Sequence, residues 1–403
     1  MTIYKDNKEA DMDKRKIGGV IVSDLNHTNY GSALQAYATM KTVQEFGYDL
    51  TFIKYKKTRS LFEKLIIMPK YLLSGGFERF MRGVKTMLNE KIISGYEANQ
   101  RIRRKATNAF KEVEFVPYFK EYVGYKALCE GSKEYDAIFV GSDQTWRPIG
   151  FYSNYWNLNF VNDGVPKFSY SSSYGVSSIP LIQRAGTKKY LERIDLISVR
   201  EDRAKEIVES LSQKKAQVVA DPTMLRTREQ WLEFASNSHK KIGEPYIFCY
   251  FLGPRRDIRE HAVKLAKQTG CKIVISPHME EYRKADEKIG DYICYDLNPY
   301  DFVKLLAEAA YVCTDSFHGT VFSILTHRKF ITFYREKGQS TNSRIDNLLT
   351  TFCLIDRLCK DSIDVIFKEI DYNSVDRKLV DYRNESLTFF RKACSLADKN
   401  VYE

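Results

Sequence analysis

No two of the eight cysteines (Cys129, Cys249, Cys271, Cys294, Cys313, Cys353, Cys359 and Cys394) are spaced as CxxC. Their scatter argues against a zinc site or a disulfide framework. Cys249 in "YIFCYFLG" and Cys313 in "YVCTDS" fall inside apolar strand patterns, as reduced, buried thiols do. No stretch reaches the ~18 uninterrupted apolar residues of a membrane span. The opening "MTIYKDNKEADMDKRK" has no apolar core of a secretory signal, so a cytoplasmic protein is expected. No repeat period is present, which excludes a solenoid. Basic reader helices, RNP-like strands and zinc fingers are also missing, so nucleic acid is not an expected partner. No histidine or carboxylate pair has ligand spacing around the best candidate histidine, and no metal site is expected.

What is present is a chain of 403 residues, 43% hydrophobic, with 27 Tyr and 24 Phe. That composition can bury a sizeable core and suits two domains. The net charge is +11, and one segment holds nearly all of it: residues 54–126 carry 17 Lys and Arg against seven Glu and no Asp. Basic and apolar residues alternate there at helical spacing, as in "YKKTRSLFEKLIIMPKYLL" and "RIRRK". Two readings fit: a solvated helical insertion, or a face for anionic lipid or a lipid-linked anion.

Short apolar runs alternate with helical patterns. "KIGGVIVSD" (16–24), "YDLTFIKY" (48–55), "YDAIFVGSD" (135–143), "KFSYSSSYG" (167–175), "DLISVRED" (195–202) and "AQVVADP" (216–222) read as strands ending in polar or glycine residues. After a polar stretch at 236–246 the rhythm restarts with strands at 246–253, 272–278, 311–316 and 330–336. Asn298 is the expected N-cap of the helix that Pro299 opens. This is an α/β chain of two parallel-sheet, Rossmann-like domains with a cleft between them. The expected division is residues 1–240, with a basic helical insertion at about 57–130; residues 241–375; and a helix at 376–403 packing back on the first domain.

Ligands of such sheets bind beyond the carboxyl ends of the strands, so the candidate site residues are sought there. In "NYGSALQAYA" Gly31 lets the backbone approach a ligand, and Asn29, Ser32 and the new helix's N–H groups hold an anion or sugar hydroxyls, unless the motif is only a turn. "VGSDQTW" bunches Ser142, Asp143 and Gln144. Asp143 takes a proton or binds hydroxyls, or merely caps the turn; Trp146 stacks on a sugar or packs inside. Arg200 of "ISVRED" clamps a carboxylate or phosphate, or pairs with an internal acid. In "TDSFHGTVFSI" His318 sits where strand gives way to helix and can pass a proton near neutral pH, with Asp315 or Ser316 to orient it and Gly319 following. Arg344 and Lys337 flank a last strand-to-helix junction, with Arg335 close by.

In order, "NYGSALQAYA", "VGSDQTW", "SVRED", "ADPT" (220–223), "NPYDFVKLLAEAAYVCTDSFHGTVFSI" and "NSRIDNLL" resemble the polysaccharide pyruvyl transferase family over residues 17–350. The resemblance implies a glycosyltransferase-B-like fold and transfer of a pyruvyl group from phosphoenolpyruvate to two sugar hydroxyls, giving a ketal and phosphate, with no cofactor beyond the donor. It makes Arg200 a donor clamp and His318 the acid/base. Many members carry an arginine where this chain has Ser316; Arg344, or else Lys337, would supply the second clamp. The family also implies a bacterial exopolysaccharide, capsule or cell-wall sugar as acceptor, often lipid-linked, and the basic segment at 54–126 would suit a polyprenyl-diphosphate carrier and peripheral contact with the inner membrane face. The rival readings are a nucleotide-sugar glycosyltransferase of the same fold, which would need a ribose-reading acid such as Asp301 or Glu308, and a non-catalytic glycan- or lipid-binding relative.

Overall fold

The computed structural model describes residues 14–58, scattered positions between 67 and 88, and 93–401 apart from 280–281, 336–341 and 361. Part of the expected insertion, between residues 59 and 92, and Lys337 in the second lobe therefore lie outside the described residues. Seven parallel strands form the first sheet: β1 (Lys16–Val20), β2 (Asp49–Lys56), β3 (Phe119–Val123), β4 (Ala137–Asp143), β5 (Lys167–Ser172), β6 (Leu196–Val199) and β7 (Ala216–Val218). Their order is β3-β2-β1-β4-β5-β6-β7. The second sheet holds β8 (Tyr246–Tyr250), β9 (Lys272–Ile275), β10 (Tyr292–Ile293), β11 (Tyr311–Thr314) and β12 (Lys329–Thr332), ordered β10-β9-β8-β11-β12 and again parallel. The α/β class and the paired parallel sheets are those expected. The short edge strands β3 and β10 were not: β3 has only one buried side chain and β10 spans two residues, so neither makes an apolar run.

Strand order reverses between β1 and β4 and again between β8 and β11, and the carboxyl ends beside such reversals are where ligands bind in open α/β sheets. The helices entering those ends begin as their sequences dictate. Asn29 caps α1 (Tyr30–Glu45), its side chain accepting from the Ser32 N–H. Asn298 and Asp301 close a capping box on α9 (Pro299–Glu308), with Pro299 in the first turn. Ser316 caps α10 (Phe317–Leu325).

Between these lie α2 (Tyr96–Glu114), α3 (Tyr125–Gly131), α4 (Leu181–Glu192), α5 (Asp202–Leu211), α6 (Arg228–Ala235), α7 (Asp257–Thr269) and α8 (Lys284–Ile289); α11 (Ser343–Thr351) and α12 (Tyr372–Cys394) follow. On α12, Phe390 stacks on Tyr170 of the first sheet with ring centroids 4.0 Å apart, and Ser386 Oγ accepts from the Ala220 N–H. The last helix thus lies on the first lobe.

The lobes are stapled by α2. Arg103 is 2% exposed; its Nε donates to the Tyr295 carbonyl at 2.7 Å and its Nη2 to the Cys294 carbonyl and Ser276 Oγ. Gln100 and Tyr96 both donate to the Met279 carbonyl. Arg103 and Lys111 belong to the basic segment, yet both face inward and bind backbone carbonyls. At these two positions neither a solvated nor a lipid-facing reading holds. No helix among the described residues is long and apolar enough to cross a membrane.

Candidate active site

Three strand ends of the first sheet and one of the second converge. Arg200 follows β6, Asp143 ends β4, Asp221 follows β7, and His318 is the second residue of α10 beyond β11. Arg200 Nη1 donates to Asp221 Oδ2 at 2.9 Å and Nη2 to Asp143 Oδ1 at 3.3 Å. His318 Nε2 lies 3.5 Å from the same Asp221 Oδ2, close enough to feel its charge but outside hydrogen-bond geometry. Arg200 and His318 therefore share one carboxylate oxygen. Asp143 Oδ2 also accepts from Ser32 Oγ at 2.7 Å, which ties α1 into the cluster.

Burial opposes ionisation of both aspartates, but their partners outweigh it. Arg200, with His318 and the Ser32 hydrogen bond, pulls Asp143 far below the usual carboxylate range. His318 and Arg200, with Thr223, do the same for Asp221. Glu201 behaves oppositely: burial pushes its carboxyl up despite nearby Arg200 and Arg344.

Phe317 carries two guanidiniums, Arg200 at 5.0 Å and Arg344 at 5.8 Å from its ring centre. Arg344 enters from the first turn of α11 and is 9% exposed. Burial and the neighbouring Arg200 bring its pKa down to about 10. Glu201 and Asp143 offset part of the repulsion between these two like charges. Arg200 Nε, Arg344 Nε, Arg335 Nε and His318 Nε2 are buried and have no hydrogen-bond partner among the described residues. Orphaned buried donors cost about 1–3 kcal/mol each, so four in one cluster point to an anionic ligand that would satisfy them.

Gly31 is a close-approach glycine: a Cβ there would overlap the His318 imidazole at Nδ1, so the α1 start seats the ring. Other expected binders serve the framework instead. Ser142 Oγ donates to the Ser171 carbonyl and its N–H to Gln35, so its hydroxyl is spent in the sheet. Asn29 and Ser316 use their side chains as caps. Gly319 is small because a Cβ would overlap Thr314 Oγ1, a packing need. Asp315 does not orient His318: its carboxylate accepts from the Leu252 and Gly253 N–H groups. Trp146 is 5% exposed and packs against Tyr174, which is the packing reading.

Asp221 is the residue beside His318 to which sequence reasoning assigned no role. Its signal was there in "ADPT", a strand end followed by a capped turn, with Thr223 donating to Asp221 Oδ1. Asp301 and Glu308, the acids a ribose reader would use, are engaged by the α9 capping box and by Lys304. Among the described residues no group of three His, Cys, Asp or Glu could hold a metal.

UDP-N-acetylglucosamine 2-epimerase from Rickettsia bellii is 10% identical, the match covering 96% of this chain and 99% of that one, with a TM-score of 0.47. The ADP-heptose lipopolysaccharide heptosyltransferase II of E. coli is 12% identical, covering 92% and 99%, with a TM-score of 0.34. No curated protein matches. The model of the family described as polysaccharide pyruvyl transferase matches residues 29–337, a stretch that contains Asp143, Arg200, Asp221 and His318, and the chain belongs to that family.

Proposed function

We propose that the protein transfers the pyruvyl group of phosphoenolpyruvate to two hydroxyls of a sugar, forming a cyclic ketal and releasing phosphate. The observation that carries this reading is the pair of buried guanidiniums, Arg200 and Arg344, on one phenyl ring, next to an imidazole that shares the Asp221 carboxylate. A three-carbon donor with a carboxylate and a phosphate needs two such clamps. With Ser316 engaged as a helix cap, Arg344 takes the role of second clamp.

In this account His318 delivers a proton to the methylene carbon of the enol phosphate, creating an oxocarbenium-like centre at the neighbouring carbon. Asp221 stabilises the imidazolium, as a carboxylate beside a catalytic histidine does. One sugar hydroxyl adds to that carbon, the bond to the phosphate oxygen breaks, and the second hydroxyl closes the ring. Of the two hydroxyl protons, one balances the proton placed on carbon and the other leaves with phosphate. Asp143, held ionised and therefore a weak base, would fix the acceptor beside Ser32 more readily than take its proton. General acid catalysis of this kind contributes about 10²–10⁴ in rate.

The acceptor in this proposal is a bacterial polysaccharide precursor carried on a polyprenyl diphosphate, met at the inner membrane face. Support comes from exposed apolar side chains in the basic segment, Phe77 at 59% and Phe80 at 62% among them. The decisive assay is phosphate release from phosphoenolpyruvate with galactose- or mannose-type acceptors, beside the same assay with uridine nucleotide sugars. Phosphate release that requires an acceptor supports the reading, and turnover of the nucleotide sugar instead would replace it.

A further inference from the structure

The second lobe holds a groove that this chemistry leaves unused. It runs between α7 and α8 and encloses about 570 Å³, within the range of small-ligand sites. Arg256, Lys264 and Lys267 line one wall from α7 and the residue before it, and Lys284 and Lys288 line the other from α8. All five are exposed, and none forms a salt bridge with a described carboxylate, although Lys264 lies close enough to Asp364 to help lower its pKa. Glu260 is the single carboxylate in the lining, and Val263 and Ile289 supply an apolar strip.

Glu260, four residues before Lys264, offsets only part of this positive charge. Lys264 and Lys267 are three apart on one helix, Lys284 and Lys288 four apart on the other, and like charges at those spacings are mutually destabilising. Two helices turning these pairs toward one cavity concentrate positive potential there. The groove also has a fixed floor. Arg259, 2% exposed, donates from Nε to Asp286 Oδ1 at 2.6 Å, joining α7 to α8. Its Nη1 donates to the Gly253 and Arg255 carbonyls, while its Nη2 is buried with no partner. One buried guanidinium therefore sets the spacing of the two cationic walls, the support that a preorganised site needs.

We propose that this groove is a second anion site that binds a phosphate-bearing ligand, separate from the Arg200–His318 cluster. Five flexible ammonium and guanidinium groups around an apolar strip suit one or two phosphates attached to an apolar stem. The same chemistry is offered by a soluble phosphorylated compound and by a lipid headgroup, and the test separates them.

The full-length protein is titrated calorimetrically with inorganic pyrophosphate, as wild type, as Lys284→Glu/Lys288→Glu and as Arg200→Ala. In a second arm the same proteins are sedimented with phosphatidylglycerol vesicles. The expected result is saturable pyrophosphate binding that survives Arg200→Ala and weakens at least tenfold in the double lysine variant. The altered side chains are exposed, so the double variant is expected to keep the wild-type melting temperature, and Lys264→Gln gives an independent check on the opposite wall. Pyrophosphate binding without vesicle retention assigns a soluble ligand. Vesicle retention lost on charge reversal assigns a lipid headgroup. Binding that is indifferent to the lysine substitutions, or that disappears with Arg200→Ala alone, overturns the proposal.

Discussion

Arg200 is surrounded by two ionised carboxylates and one imidazole, and each can be addressed by substitution. Asp143 and Asp221 both have folded pKa values below their unfolded ones. Their stabilisation is therefore present in full above the ordinary aspartate value of ~3.9 and is lost as pH falls through the lower folded values. Asp221→Asn should cost about 3–5 kcal/mol at neutral pH, because it leaves Arg200 buried with a single partner, and should flatten the acid limb of a melting-temperature profile. An unchanged acid limb would contradict the pairing. Gly31→Ala should preserve the fold by circular dichroism yet abolish phosphate release, since the new methyl displaces the His318 ring. At this scale His318, Arg200, Asp143 and Ser32 were legible because each stands where an apolar run ends. Asp221 also ends an apolar run, but its role was missed because nothing local ties it to Arg200, 21 positions earlier, or to His318 on the other lobe. Ser142 misled for the opposite reason, sharing a strand end with Asp143 but pointing into the sheet.

Helix starts were the most readable elements. The Asn298–Pro299 pair opens α9 as its chemistry requires, and the capping box with Asp301 completes it. Ser316 shows how one residue type admits two roles. As a cap, Ser316→Ala should lower stability by about 1 kcal/mol in urea unfolding while leaving phosphoenolpyruvate affinity unchanged. A large loss of affinity without loss of stability would make it a ligand contact. The basic segment was read by its charge and helical spacing, which do not reveal that basic side chains on a helix turn inward. On α2 the inward face includes Arg103 and Lys111, whose charges are met by backbone carbonyls rather than by lipid or solvent.

For the whole molecule, the proposed reaction needs residues from both sheets held at one spacing, and the α2 staple and the core shared by the lobes supply that hold. Arg103→Ala removes three hydrogen bonds that cross from the first lobe to the second. Because one apolar core continues through both lobes, with Tyr30 stacked on Phe302, the variant should lower the temperature of a single calorimetric transition without splitting it. Two parallel sheets could be inferred from the alternating pattern, but their mutual placement could not, because it rests on α2, whose sequence looked like surface, and on long-range core contacts such as Tyr30 on Phe302. The central claim is that a dianionic donor is gripped by Arg200 and Arg344 while His318 moves the proton. The most direct measurement compares phosphoenolpyruvate binding by calorimetry with acceptor-dependent phosphate release in His318→Ala, Arg200→Ala and Arg344→Ala. The account predicts that His318→Ala binds donor while turnover falls about 10²–10⁴-fold, and that each arginine variant loses donor binding. Wild-type donor affinity in both arginine variants would contradict it.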